Sequence, residues 1–391
     1  MDRTWIITDS GSSFSASDFL IPGQELGLGP GALCRKRTLS GGRQGGVELI
    51  ELSNGVVSLR ICPTRGMGIL DGWFGPHFLG WRSPVQEIVH PQYINLYDQG
   101  GRGCHYGFNE LLNRGGVEWS GAMGDDVVTN NMGSQSRIFL PLHGKVGWTP
   151  ASRVALNAQD GSLSIEGDIP EQNVFGVNYL LKTRLTLRPG SSRIEIQDTL
   201  CNLGSLPGEY EMLYHTNFGL PFLEEGSHYA GTWDRLIPRD EFAEAGLPYM
   251  SRFAAPTPSF TEQVFLFHAA ADASGWAHQV LLNSAESLAV HVSFAVDTLP
   301  FTILWKRTAA TEDGYVMGMN PCSDLPNRRS VERKEGRLAT VAAHGEVVFR
   351  HTIQPLEGVE TVKDLMGSFG GVGSPPSVGK AGDFAHLGNA R

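Results

Sequence analysis

Alternation with a period of two dominates the chain. In "SRIEIQDTLCNLG", Ile194 and Ile196 point one way and Glu195, Gln197 and Thr199 the other. The stretches "YLLKTRLTLRPG", "GVVSLRICP", "GSLSIEGDI" and "GEVVFRHTIQPLEG" repeat the pattern, each closing on Gly, Pro or Asn. Such segments read as half-buried antiparallel strands punctuated by turns. Helical spacing is confined to short pieces, "YGFNELLNRGG" and "RDEFAEAG". No repeat of fixed period interrupts the strands, so one large all-β sandwich is expected rather than a propeller or β-helix. From Lys363 onward the composition turns to Gly, Ser and Pro with few apolar residues, which predicts a tail that is disordered or laid over the surface.

Composition narrows the function. The chain has 391 residues, 49 of them glycine and 22 proline, which suits many strands joined by tight turns. The formal charge is -10 and no Lys/Arg cluster is sustained, so no nucleic-acid partner is expected. The stretch "MDRTWIITDSGSSFSASDF" has no charged segment leading into an apolar one, and no window of about 18 apolar residues occurs. A cytoplasmic protein without membrane contact is the expectation. Cys34, Cys62, Cys104, Cys201 and Cys322 are odd in number, far apart and without a CxxC pair, which reads as reduced, structural cysteine.

Candidate chemistry gathers at strand ends. In "EMLYHTNFGLPFLEEGS", Met212, Tyr214 and Phe218 share one face, and Leu213, His215, Asn217 and Gly219 the other. "YVMGMNPCSD" places Val316, Gly318 and Asn320 on one face before Pro321 stops the strand. His143 in "RIFLPLHGKVGWTP" reads as a strand end followed by a glycine, and Arg65 in "RICPTRGMGILD" also precedes one. Each glycine is expected to let a ligand approach the sheet, Gly318 among them. A single such polar residue is usually a satisfied core group. Four at strand ends, each beside a glycine or a second polar residue, point to one shared cleft in which His143, His215, Arg65 and Asn320 converge. With no HxH or HExxH spacing, neither metal nor other cofactor is expected.

The ordered set "CPTRGMGILDGWFGPHFLGWRSP", "FNELLNRGGVEWSGA", "LPLHGKVGWTPA", "EMLYHTNFGLPFLEEGS" and "YVMGMNPCSDLPNRRSVERKEGRLATVAAHGE" resembles the aldose 1-epimerase (galactose mutarotase) superfamily. The likeness runs from about Gly41 to Gly358, closest to the aldose-epimerase-like branch with LHG and YHxNFG motifs. It implies the large antiparallel galactose mutarotase-like sandwich, here one domain over residues 1–360 with a tail at 361–391, and a small carbohydrate as partner. It also implies His215 as general acid, with Arg65, His143, Asn217 and Arg329 holding substrate and Glu262 contacting sugar hydroxyls. The family's base is a glutamate before a proline, where this chain has Asn320. An amide is no Brønsted base near neutral pH. If the chain is an enzyme, an isomerase or sugar lyase, the base must come from Asp324, Glu332, Glu262 or His143, with Asn320 and Arg65 left to steady a developing oxyanion. The alternative is a carbohydrate-binding protein that lost its base. Loops 98–105 and 232–251 carry no readable code for the sugar, and the sequence sets no oligomeric state.

Overall fold

The computed structural model describes residues 3–368 and 376–383. Its strands form two large sheets, one of ten strands and one of fourteen, with a separate two-stranded hairpin, Gly124–Thr129 with Gln135–Leu140. Within the large sheets pairing is antiparallel apart from one short parallel contact near the end of the chain. The alternating segments become the strands Val57–Cys62, Ser162–Gln172, Asn178–Leu187, Ile194–Asn202 and Glu346–Glu357. The sheets face each other across one main apolar core. Ile165, Leu185, Ile196 and Phe349 enter it from the ten-stranded sheet, and Ile50, Leu59, Met212, Tyr214, Phe218 and Met317 from the other. Burying one face of each sheet in this way is what the two-residue period requires.

One buried charge pair crosses the core. Arg114, on the strand Leu112–Val117, reaches Asp198 of the opposite sheet through Nε and Nη2, and also donates to Thr183 Oγ1 (2.8 Å) and the Met67 carbonyl (2.9 Å). Tyr214 Oη donates to the same carboxylate at 2.9 Å. This explains a departure from expectation. "YGFNELLNRGG" contains a strand instead of a helix, because its polar positions Asn113 and Arg114 are buried and hydrogen-bonded inside. Periodicity cannot separate a strand buried on both faces from a helix. "RDEFAEAG" does form a short helix, Glu241–Ala245, capped by Asp240.

The expected domain end at residue 360 falls inside a helix, Val359–Ser368, which seats Val362 fully and Leu365 and Met366 partly against Val280, Leu282 and Ala289. Farther on, Ser377–Val378 adds to the edge strand Trp233–Pro238. Residues 369–375 and 384–391 of the expected tail lie outside the described residues. All five cysteines are free and buried. No helix among the described residues is long and apolar enough to cross a membrane.

Candidate functional site

The outer face of the fourteen-stranded sheet carries a second, smaller apolar cluster, including Leu213, Val264, Ile303 and Cys322 with Trp305 against it. Above this floor lies a cavity of about 630 Å³, within the range of small-ligand sites. Four of the expected residues line it: His143, His215, Glu262 and Asn320. The strand Gly208–Phe218 supplies His215 because its odd-numbered residues face outward while Met212 and Tyr214 enter the core.

His215 stands among aromatic rings. Phe108 lies 5.0 Å and Trp305 5.1 Å from it between ring centroids, both edge-on, and Trp81 is perpendicular to Trp305 at 6.4 Å. Nδ1 of His215 meets Asn217 Oδ1 at 2.7 Å. The Asn217 amide nitrogen is committed to the carbonyls of Glu110 (3.0 Å) and His215 (3.3 Å), so its oxygen is the acceptor and His215 Nδ1 carries the hydrogen. His143 repeats the arrangement, with Nδ1–H donating to the Ser120 carbonyl at 2.7 Å. Neither Nε2 has a partner among the described residues, and both rings line the cavity. Burial pushes the proton affinity of His215 down to about 3, with His143 acting in the same direction and the Asn217 hydrogen bond opposing. Burial likewise pushes His143 down to about 4, against its bond to Ser120. At neutral pH the cavity therefore presents two imidazole lone pairs. A neutral ring whose hydrogen sits on Nδ1 has no Nε2 proton to donate, so His215 is arranged as an acceptor, in contrast to the donor the family resemblance implies.

His143 does not end a strand. The neighbouring strand stops at Leu140, and His143 adopts φ +60°, a left-handed conformation that costs a non-glycine residue energy. Its N–H donates to the Gly121 carbonyl at 3.1 Å, and its carbonyl accepts from Gly116 N–H at 3.1 Å. A Cβ on Gly144 would lie 2.2 Å from the Trp119 carbonyl, so protein backbone, rather than ligand, occupies the space this glycine opens. Behind the turn, Glu211 accepts from the N–H groups of Ser120 and Gly121, whose carbonyls hold His143. Burial raises Glu211 to about 7 and, with the charges of Glu211 and Glu332, holds the proton affinity of nearby Asp324 well above the carboxylate range. Asp324 is buried, accepts from Ser323 Oγ at 3.3 Å and does not line the cavity.

Asn320 is held by a break in the sheet. The strands of His215 and Asn320 pair at Leu213 and Cys322 and again from Asn217 and Gly318, but not between. Pro321 has no N–H to donate there. Asn320 Oδ1 accepts the Thr216 N–H at 2.9 Å in place of a backbone carbonyl, and Nδ2 has no partner among the described residues. A Cβ on Gly318 would lie 2.8 Å from both Asn320 amide atoms. The space above this glycine is therefore filled by Asn320 itself, not left to a ligand as expected.

Glu262 lies toward the open side, accepting from Arg239 Nη1 at 2.7 Å and Trp305 Nε1 at 2.8 Å. Burial pushes its carboxyl up, but the Arg239 bond and charge outweigh this and keep it below the usual value. The other expected residues stand behind the wall. Arg65 is 0% exposed, paired with Glu110, bonded to Asn109 and Gly107, and stacked over Trp148 at 4.7 Å. Asn217 is buried and contacts His215, not the cavity. Arg329 pairs with Asp126 (3.3 Å) and Glu209 (3.2 Å), and Glu332 with Arg337 (2.6 Å). Among the described residues, no group of three His, Cys, Asp or Glu side chains is placed to hold a metal. The wall also contains residues that the sequence reading did not single out: Trp81, Phe108, Trp305, His105, Arg102 and Arg307. Alternation along Phe301–Thr308 puts Ile303, Trp305 and Arg307 on one face, a signal that was legible. The loop residues carried none.

Comparison with known structures places this architecture. A crystal structure from Klebsiella pneumoniae, provisionally described as an aldose 1-epimerase, superposes with TM-score 0.90 at 28% identity, covering 97% of this chain and 98% of that one. A galactose mutarotase-like protein from Clostridium acetobutylicum gives TM-score 0.59 at 14% identity over 83% of this chain and 99% of the other. A GalM/aldose epimerase homologue from C. elegans gives 0.52 at 11% over 80% and 99%. The latter two speak to the fold alone, which is the galactose mutarotase-like sandwich. No curated protein matches the chain in sequence. A family model described as "Domain of unknown function (DUF4432)" matches residues 44–354, and the chain belongs to that family.

Proposed function

We propose that the cavity binds a monosaccharide or keto-sugar and carries out proton transfer on it, with His215 as the base. The pair of Nε2 lone pairs supports this reading, because each can accept a hydrogen bond from a hydroxyl while the aromatic wall takes the apolar face of a sugar ring. Asn320 Nδ2 is a donor beside these acceptors. A hydroxyl placed between them gives its proton to His215 Nε2, and the oxygen left behind accepts from the amide. At an anomeric hydroxyl, the new carbonyl forms as the bond to the ring oxygen breaks, and that oxygen takes a proton from water. Beside a carbonyl, the same base removes a carbon-bound proton instead. The likeness to the K. pneumoniae protein supports the first outcome.

Nuclear magnetic resonance (NMR) exchange between α- and β-anomers, run alongside deuterium uptake at carbon in D₂O, distinguishes the two. Catalysed exchange by the native protein should fall about 10² to 10⁴-fold in His215→Gln. Sugar binding without either exchange would leave a binding protein, and unchanged rates in His215→Gln would remove His215 from the chemistry.

A further inference from the structure

We propose that the sugar taken by this cavity is acidic, its carboxylate, sulfonate or phosphate seated between Arg102 and Arg307. The inference rests on the sugar-binding reading above and adds the class of sugar.

In a chain of formal charge -10, the cavity wall holds three guanidiniums, Arg102, Arg239 and Arg307, against two carboxylates, Glu262 and Asp313. Arg239 is bracketed by Asp240 (2.8 Å) and Glu262 (2.7 Å). The other two have no carboxylate partner among the described residues. Arg307 donates to the carbonyls of Thr261 (3.0 Å) and Asp313 (3.3 Å), and Arg102 only to the Gln99 carbonyl at 3.4 Å. Carbonyl oxygens fix a guanidinium's position without cancelling its charge.

The two arginines come from different segments, a loop and the strand Phe301–Thr308, yet both line this cavity and the charges of both act on His105. His105 lines the same wall and makes no side-chain hydrogen bond among the described residues. Burial lowers its proton affinity, and the charges of Arg102 and Arg307 lower it further while Glu262 opposes them. A cleft with low-dielectric walls focuses such a field. The planar fork of arginine matches the paired oxygens of carboxylate, sulfonate and phosphate groups. The neutral imidazoles suit hydroxyls, whereas the Arg102 and Arg307 guanidiniums suit an anion. A neutral sugar would leave both guanidinium charges without an anion.

The test is calorimetric titration of the full chain with matched pairs: D-glucose against D-glucuronate, glucose 6-phosphate and 6-deoxy-6-sulfoglucose, and D-galactose against D-galacturonate. An acidic member should bind at least about ten-fold more tightly than its neutral partner, as charge-assisted hydrogen bonds do. The preference should shrink with added salt, and the tightest acid identifies the group. In Arg102→Gln/Arg307→Gln the ratio should fall toward one. Arg307 also ties two carbonyls, so Arg102→Gln alone, at an exposed position, serves as the second variant and should lose several-fold of the preference. Equal binding of neutral and acidic partners, or a preference that survives the double variant, overturns the inference while sugar binding stands. If no sugar of either kind binds, the sugar-binding reading itself falls, and this inference with it.

Discussion

His143 and His215 meet edge to face with their ring centroids 5.6 Å apart, each with its Nδ1–H committed to an oxygen acceptor. Their uncommitted nitrogens share one cavity although the residues lie far apart in the chain.

The first consequence is a shifted pH profile. Both rings hold their protons far more weakly than a free imidazole, about 3 for His215 and about 4 for His143. Lone-pair chemistry should therefore persist as pH falls from 8 to 5 and disappear only below about 4. Measuring kcat/KM for anomer exchange against pH checks this, and an acid limb near 6.5 would contradict it.

Glu211, beside Asp324, predicts a cost as pH rises toward neutrality. A carboxyl whose folded affinity is raised contributes stability below its unfolded value and loses it as pH rises through the folded one. For Glu211 that window runs from near 4.5 to about 7, and the Asp324 carboxyl is displaced in the same direction. Between about pH 5 and 7 the raised Glu211 carboxyl should take up to about 1.4 kcal/mol per pH unit from the stability of the native protein. Glu211→Gln, whose side-chain oxygen can still accept from Ser120 and Gly121, has no titrating proton and should lose this contribution to the pH dependence of urea melts. An equal pH dependence in both proteins would refute a raised Glu211 carboxyl.

Asn320→Ala removes the acceptor of a buried backbone N–H, that of Thr216. The expected loss is about 1–3 kcal/mol of unfolding free energy. A change under about 0.5 kcal/mol in denaturant titration would show that Thr216 finds another acceptor and that Asn320 is not built into the ladder.

Arg114→Met leaves Asp198 buried without its counter-charge, although Tyr214 Oη still donates to it. Breaking such a pair from one side costs about 3–5 kcal/mol. Restoring much of that loss in Arg114→Met/Asp198→Leu would attribute the cost to the stranded charge, and a neutral single variant would show that the pair does not hold the sheets together.

The sandwich was legible because half-buried strands write their burial in a two-residue period. His215 was legible for the same reason, as a polar side chain on the outward face of a strand whose other face is apolar. Arg65 was not. Its carboxylate partner Glu110 lies 45 residues away and is itself fully buried, and no local pattern distinguishes an arginine stacked behind a wall from one in front of it. Asn320 misled in a different way. Its neighbour Gly318 reads as open space until Pro321 is seen to open the ladder opposite Thr216, which turns the amide back onto the sheet. Phe108, Trp81 and Arg102 come from irregular segments whose positions follow from long-range contacts alone.

The state of the His215 ring tests the account most directly. ¹⁵N NMR of the histidine side chains at pH 7 should show His215 neutral, hydrogen on Nδ1, with Nε2 as a bare acceptor whose shift moves when a bound sugar hydroxyl donates to it. A charged imidazolium at that pH, or a hydrogen on Nε2, would contradict the assignment of His215 as the base.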